Sequence, residues 1–137
     1  MPDLSGKVFI VTGGNGGIGL GIAEGIAKEG GSVAIWARNQ SKNKKAVETL
    51  ERFGTKATSY VCDVSSEEEV CSTLQQTVTD FGRIDGLFAN AGRAGTGTPF
   101  IDVSLEEWRE IMSVNLDGVF LCLREAAKQL ISQGSGG

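Results

Sequence analysis

Residues 12–21 read TGGNGGIGLG and join two ordered segments of different periodicity. Upstream, Val8, Phe9, Ile10 and Val11 form a continuous apolar run, the pattern of a strand buried on both faces of a parallel sheet. Downstream, Ile18, Ile22, Ile26 and Ala27 fall at helical spacing until Gly30 and Gly31 stop the helix. A strand, a glycine turn and a helix make half of a βαβ unit. Such a turn leaves the first helical N–H groups facing outward, the glycines supply positive φ and remove Cβ atoms, and the helix dipole favours an anion. A pyrophosphate fits there, although glycine-rich strand-to-helix turns also occur without a ligand.

Further along, a second strand over Ser32–Trp36 ends in Ala37, Arg38 and Asn39. In dinucleotide folds an acidic residue about 20 positions after the glycines binds the ribose hydroxyls, whereas an arginine there accommodates a 2′-phosphate. The chain offers Arg38 and no acid; the plain alternative is a solvated charge at a strand end. Asn39 or Ser41 can cap the next helix, which has Ala46, Val47, Leu50 and Phe53 on one face and closes at Gly54. Residues 56–62 read as a third strand. Asp63 and Val64 follow at its carboxyl end, on the ligand edge of a doubly wound sheet, and Asp63 can equally cap the helix that comes next.

That helix starts with Ser65, Ser66 and three glutamates, buries Val70, Leu74, Val78 and Phe81, and ends at Gly82. Its glutamates need no catalytic role. A fourth strand over residues 84–89 delivers Asn90, Ala91 and Gly92 to the same sheet edge, and with nothing beyond it Leu87 and Phe88 are poorly covered. After a glycine-rich loop at 93–98, Ser104 and Glu107 form a capping box for a single long helix over 105–131. Its apolar face, which includes Leu105, Trp108, Leu116, Phe120 and Leu123, is wider than one sheet contact requires. Asn115 sits inside that stripe, where a polar side chain must find partners or cost roughly 1–3 kcal/mol.

Composition narrows the classes of function. With 137 residues, 40% of them hydrophobic, the chain suffices for one core. A net charge of −4 gives no basic face for nucleic acid, no apolar run is of membrane length, and Lys42, Lys44 and Lys45, the basic cluster, read as a solvated helix face. Met1-Pro2-Asp3 lacks the charged and apolar regions of a secretory leader, which predicts a cytoplasmic protein. Cys62, Cys71 and Cys122 are odd in number and widely spaced, so reduced thiols are expected and no metal site; the absence of histidine removes Ser-His-Asp, Cys-His and imidazole-metal chemistry.

The glycine turn admits two spacings: Gly14, Gly16 and Gly19 fit GxGxxG, while Thr12, Gly13, Gly17 and Gly19 fit TGxxxGxG. The second, with Asn90-Ala91-Gly92 after an apolar run, resembles the short-chain dehydrogenase/reductase family from about residue 4 to the C-terminus. The resemblance implies an α/β fold, a Rossmann-like doubly wound parallel sheet in three α/β/α layers, forming a single domain over 1–137 that is incomplete at the C-terminus. It implies a pyrophosphate cradle of Gly13, Asn15, Gly16, Gly17, Ile18 and Gly19, with Arg38 and Asn39 at the adenosine ribose. Asp63 and Val64 would meet the adenine, and Asn90, Ala91 and Gly92 would brace the sheet and line the nicotinamide-side ribose. A small residue followed by arginine after the second strand goes with NADP in this family, so NADP is expected ahead of NAD. Asn115 matches the asparagine of the catalytic tetrad, which holds a water beside the catalytic lysine; the other reading is an amide that fastens the helix to a neighbouring backbone.

The serine and the YxxxK pair of that tetrad find no match here, and Tyr60, the only tyrosine, has Val64 four places on. The implied activity is hydride transfer between NADP(H) and a small carbonyl or alcohol substrate, with no nucleic acid or membrane partner. The 137-residue chain alone is expected to bind cofactor without turnover, and to form a homo-oligomer through the helix over 105–131. A catalytically silent dinucleotide-binding module acting through a partner is the second reading. A mononucleotide-phosphate binder is a weaker third, because no GxxxxGK[ST] occurs.

Overall fold

Four short strands, β1 (Val8–Thr12), β2 (Ser32–Trp36), β3 (Ala57–Tyr60) and β4 (Gly86–Phe88), pair in parallel in the order β3-β2-β1-β4. The computed structural model describes residues 2–137; Met1, the first residue of the expected leaderless N-terminus and of the expected domain, lies outside them. Parallel neighbours need crossovers. Helices α1 (Gly17–Lys28), α2 (Gln40–Glu51) and α3 (Glu67–Phe81) supply them.

Side-chain alternation along the central strands decides which helix lies on which face. Val11, Val33 and Ile35 pack with Ala23, Ile26 and Ala27 of α1 and Ala46 and Leu50 of α2. Ile10, Ala34 and Trp36 face the other way, onto Val70 and Leu74 of α3 and Leu121 and Cys122 of α5 (Gly118–Gln133). Both faces of β1 and β2 are therefore buried, which is why their sequences read as continuous apolar runs. Each large side chain fully buried there stabilises the fold by roughly 1.5–3 kcal/mol. The one polar atom of Trp36 is satisfied: its Nε1–H donates to Thr77 Oγ1 at 3.1 Å. The result is the expected Rossmann-like, doubly wound sheet between two helical layers.

Several local expectations change. On α1 the buried stripe is Gly19, Ala23, Ile26 and Ala27, whereas Ile18 is 79% exposed. The helix approaches the glycine turn so closely that a Cβ at Gly19 would overlap the Gly13 carbonyl, so the small residue faces inward and the branched one outward. The third strand is shorter than residues 56–62, because Val61 is exposed and Cys62 keeps only a long bond to the Ala37 carbonyl, 3.4 Å. The fourth contracts to three residues. The Gln133 side-chain amide captures both backbone groups of Ile84, and the Asn90 N–H turns back to the Phe88 carbonyl. Phe88, on this edge strand, is 41% exposed. Phe53 lies beyond α2, partly exposed beneath the Lys28 ammonium.

The expected single helix over 105–131 is α4 (Leu105–Met112) and α5 joined by a π turn, Ser113–Asp117, and it follows a 3₁₀ turn at Phe100–Asp102. No residue of α4 is buried. Among the described residues no helix is long and apolar enough to cross a membrane.

Candidate functional site

All four strands point their carboxyl ends at one edge of the sheet, and the strand order reverses between β2-β1 and β4, the place where doubly wound folds open a crevice. The turn after β1 is fixed by its glycines. Gly13 at φ +64° reverses the chain while its N–H donates to the Trp36 carbonyl at 2.8 Å, and Gly17 at φ +53° launches α1. Gly14 has no positive φ, so the left-handed positions fall on Gly13 and Gly17, and the tightest approach falls on Gly19, with a lesser one at Gly14. These are the glycines of the TGxxxGxG spacing.

The start of α1 differs from the other helix starts. Asn39, Ser66 and Ser104 each accept a backbone N–H from the first turn of α2, α3 and α4, at 2.9, 3.3 and 3.0 Å. At α1 the N-cap is Gly16, no side chain caps the helix, and a Cβ on Gly16 would meet nothing within 4 Å. Uncapped N–H groups beside open space are what an anionic group requires.

Two asparagines hold the edge together. Asn90 Nδ2 donates to the Thr12 and Gly13 carbonyls at 3.1 and 3.4 Å, while the Ala91 N–H donates to Thr12 Oγ1 at 2.9 Å. The end of β4 is thereby fastened to the glycine turn. Asn43, which the sequence reading missed, is fully buried on α2: its Nδ2 donates to the Ala37 carbonyl at 2.8 Å, and its Oδ1 accepts from Asn15 Nδ2 at 2.8 Å. Its spacing to Ala46 and Leu50, three and seven residues on, was the available signal. Asn15 consequently lines the cleft with its amide committed to α2.

The cleft has a volume of about 340 Å³, within the range of small-molecule sites. Gly13 and Asn15 line it after β1, Arg38 and Asn39 after β2, Asp63 and Val64 after β3, and Ala91 and Gly92 after β4. Gly16 opens on an adjoining groove shared with Asn15 and Lys42, and Asn90 ties the cleft floor from outside its lining. Asp63 does not cap α3; Ser66 does. The Ser65 hydroxyl, at 2.6 Å from Asp63 Oδ1, holds this carboxyl below the usual carboxylate range against the effect of burial, with the Ser65 N–H and the Arg38 charge adding to it. It is therefore an ionised acceptor at neutral pH. Cys62 also lines the cleft, and burial pushes its thiol up to about 11.

Asn115 is exposed, contrary to the expectation of a polar group buried in the apolar stripe. The π turn inserts a residue into the helical repeat, so that Val114 lines the cleft and Asn115 meets the loop after Gly92. Its Oδ1 accepts from the Arg93 N–H at 2.7 Å and its Nδ2 donates to the Arg93 carbonyl at 2.9 Å, leaving one donor and one acceptor position for other partners. Glu107 holds the same loop, accepting from Thr96 Oγ1 at 2.6 Å. Tyr60 is committed elsewhere, its hydroxyl donating to Asp80 Oδ2 at 2.7 Å.

A doubly wound parallel sheet with an uncapped glycine turn, and with polar side chains brought from four strand ends to one cleft, defines a Rossmann-like class of protein. The short chain dehydrogenase family model matches residues 7–137, and the chain belongs to that family. It is 37% identical over 135 residues to a probable NADP-dependent mannitol dehydrogenase of Yarrowia lipolytica, covering 98% of this chain and 49% of that protein. It is 39% identical over 137 residues to a 2,5-dichloro-2,5-cyclohexadiene-1,4-diol dehydrogenase of Sphingobium indicum, covering 100% of this chain and 54% of the relative. Among solved structures, NAD+-bound xylitol dehydrogenase matches with a TM-score of 0.94 at 39% identity, over 98% of this chain and 52% of that one. The chain spans about half the length of these relatives.

Proposed function

We propose that the protein is an NADP-dependent oxidoreductase that moves hydride between NADP(H) and the carbonyl or alcohol group of a small molecule, with residues 1–137 as its nucleotide-binding domain. The observation that carries this reading is the convergence of four strand ends and Arg38 on one cleft, with the uncapped start of α1 on the groove that adjoins it. In this assignment Gly13, Gly16, Gly17, Ile18 and Gly19 hold the pyrophosphate through their backbone. Arg38 and Asn39 take the 2′-phosphate end, Asp63 and Val64 the adenine, and Asn90, Ala91 and Gly92 the nicotinamide-side ribose. The nicotinamide, when bound, supplies the redox chemistry.

The chain's own residues supply position and charge. The Asn90 bonds fix the spacing between the glycine turn and Gly92, and ionised Asp63 presents an acceptor to an amino group. Asn115 keeps a donor and an acceptor free to hold a proton-relay water. Relatives point both ways on the cofactor, one described as NADP-dependent and one holding NAD+. The preference for NADP rests on Arg38, which has no carboxylate partner among the described residues. The exposed face of Trp108, Leu116, Phe120 and Leu123 supports a homo-oligomer built through α4 and α5, and three unpaired cysteines fit a cytoplasmic location.

Arg38→Leu tests the assignment: NADPH binding is expected to weaken by roughly 1.5–3 kcal/mol, the worth of a charged hydrogen bond, with NADH nearly unchanged. Equal losses for both cofactors sink the NADP reading. NADPH oxidation by the whole protein, followed against small aldehydes and ketones, separates an enzyme from a module that binds and does not turn over.

A further inference from the structure

We infer that Lys42 is a second cation for the 2′-phosphate, so that Arg38 and Lys42 set the cofactor preference together; the inference rests on the NADP reading above. Lys42 lies in the first turn of α2, where its backbone N–H is held by the Asn39 cap at 2.9 Å. It lines the cleft together with Arg38 and Asn39, and it also lines the adjoining groove with Asn15 and Gly16. Lys45 lines only that groove, and Lys44 lines neither. Those two keep the reading of a solvated helix face; Lys42 does not.

Lys42 stands at the end of a helix that disfavours a cation. Helices α3 and α4 begin with three and two acidic residues in their first turns, as the positive end of a helix favours, whereas the two helices that start beside the cleft, α1 and α2, begin with none. Among the described residues eight cations have no carboxylate partner, and of these Arg38 and Lys42 alone line the cleft. An acidic chain of net charge −4 has thus placed two cations without ion-pair partners on the rim of one cleft, at a helix end that disfavours them, with Asp63 as the one carboxylate that lines it. A ligand with a phosphate at this point removes the repulsion; a ribose hydroxyl does not.

The geometry of donors agrees. A guanidinium engages two oxygens of a phosphate through its planar fork and leaves the third, which a flexible ammonium can meet as a point charge. The open space over Gly16, where a Cβ would touch nothing within 4 Å, leaves room for the Lys42 side chain beside the turn.

Calorimetric titration of the chain with NADPH, NADH, 2′,5′-ADP and 5′-ADP tests this in the native protein and in Lys42→Met, Lys42→Arg, Lys44→Met and Arg38→Leu. Lys42→Met is expected to weaken NADPH and 2′,5′-ADP by about tenfold, the equivalent of one charge-assisted bond, while NADH and 5′-ADP change by less than about twofold. Lys42→Arg is expected to retain NADPH binding within about threefold, and Lys44→Met to match the native chain. If Lys42→Met leaves NADPH binding intact, or weakens NADPH and NADH alike, the role of Lys42 is overturned, and a selective loss in Arg38→Leu still leaves the NADP reading standing. A native chain that binds NADH as well as NADPH overturns the NADP reading itself, before any variant is made.

Discussion

The carboxyl edge of the sheet and the outer face of α4 and α5 carry opposite kinds of unfinished business. At the sheet edge the chain satisfies its own polar groups: Asn43 and Asn90 are hydrogen-bonded to the strand ends, and Thr12 is bonded to the backbone of β4 and of Ala91. What remains open there is a set of backbone donors at α1 and two cations, which call for an anion. Along α4, the π turn and α5 the open groups are apolar, with Trp108 51% and Phe120 57% exposed, and they call for another surface. In the function proposed above, the first region is the site for a small ligand. The second is the face proposed for contact between copies.

The largest predicted effect lies at the sheet edge. Gly19→Ala is expected to destabilise the fold by about 3 kcal/mol in urea unfolding, because its Cβ has no space between Gly13 and Asn90, and to abolish nucleotide binding. An unchanged midpoint would mean that α1 does not pack on the turn as described. Asn43→Leu comes next, at about 2 kcal/mol, since it leaves the Ala37 carbonyl with only the long Cys62 bond and strips the Asn15 amide of its partner.

The thiols beneath the cleft give a smaller effect with a definite sign. Burial pushes Cys62 up to about 11 and Cys122 up to about 12, against roughly 8.5 in an unfolded chain. Both values are raised, so their contribution is complete below about pH 8.5 and is lost as pH rises toward the folded values, on the order of 1 kcal/mol per thiol by pH 10. Unfolding midpoints at pH 8 and pH 10 check this; equal midpoints in the native chain contradict buried thiols.

The smallest effect on stability is expected on the helical face. Leu116→Gln should stay within about 0.5 kcal/mol of native stability at low protein concentration and yet shift the sedimentation profile toward the monomer. A loss above about 2 kcal/mol would place Leu116 in the core and erase the contrast between the two regions.

How much of this was legible in the sequence depended on whether a feature has a period. Strands β1 and β2 and helices α2 and α3 were legible because apolar runs and stripes report burial directly. Helical spacing places Ile18 on the buried face because it ignores the close approach that forces Gly19 inward. The π turn leaves apolar composition unchanged while rotating everything after it, so the sequence marks Asn115 as a special position without showing that it is exposed. Asn43 was hidden among lysines, although its spacing to Ala46 and Leu50 put it on the buried face. The ends of β3 and β4 were read too long because the residues there leave the sheet to build the cleft.

The most direct test is to follow the backbone amide resonances of the chain while NADPH and then NADH are added. Saturable shifts at Gly13, Gly16, Gly17, Ile18, Arg38, Asp63 and Gly92, with NADPH binding roughly tenfold tighter than NADH or better, are the predicted result. Shifts confined to other surfaces, or none at the glycine turn at millimolar NADPH, would contradict the assignment of this cleft to a phosphorylated dinucleotide.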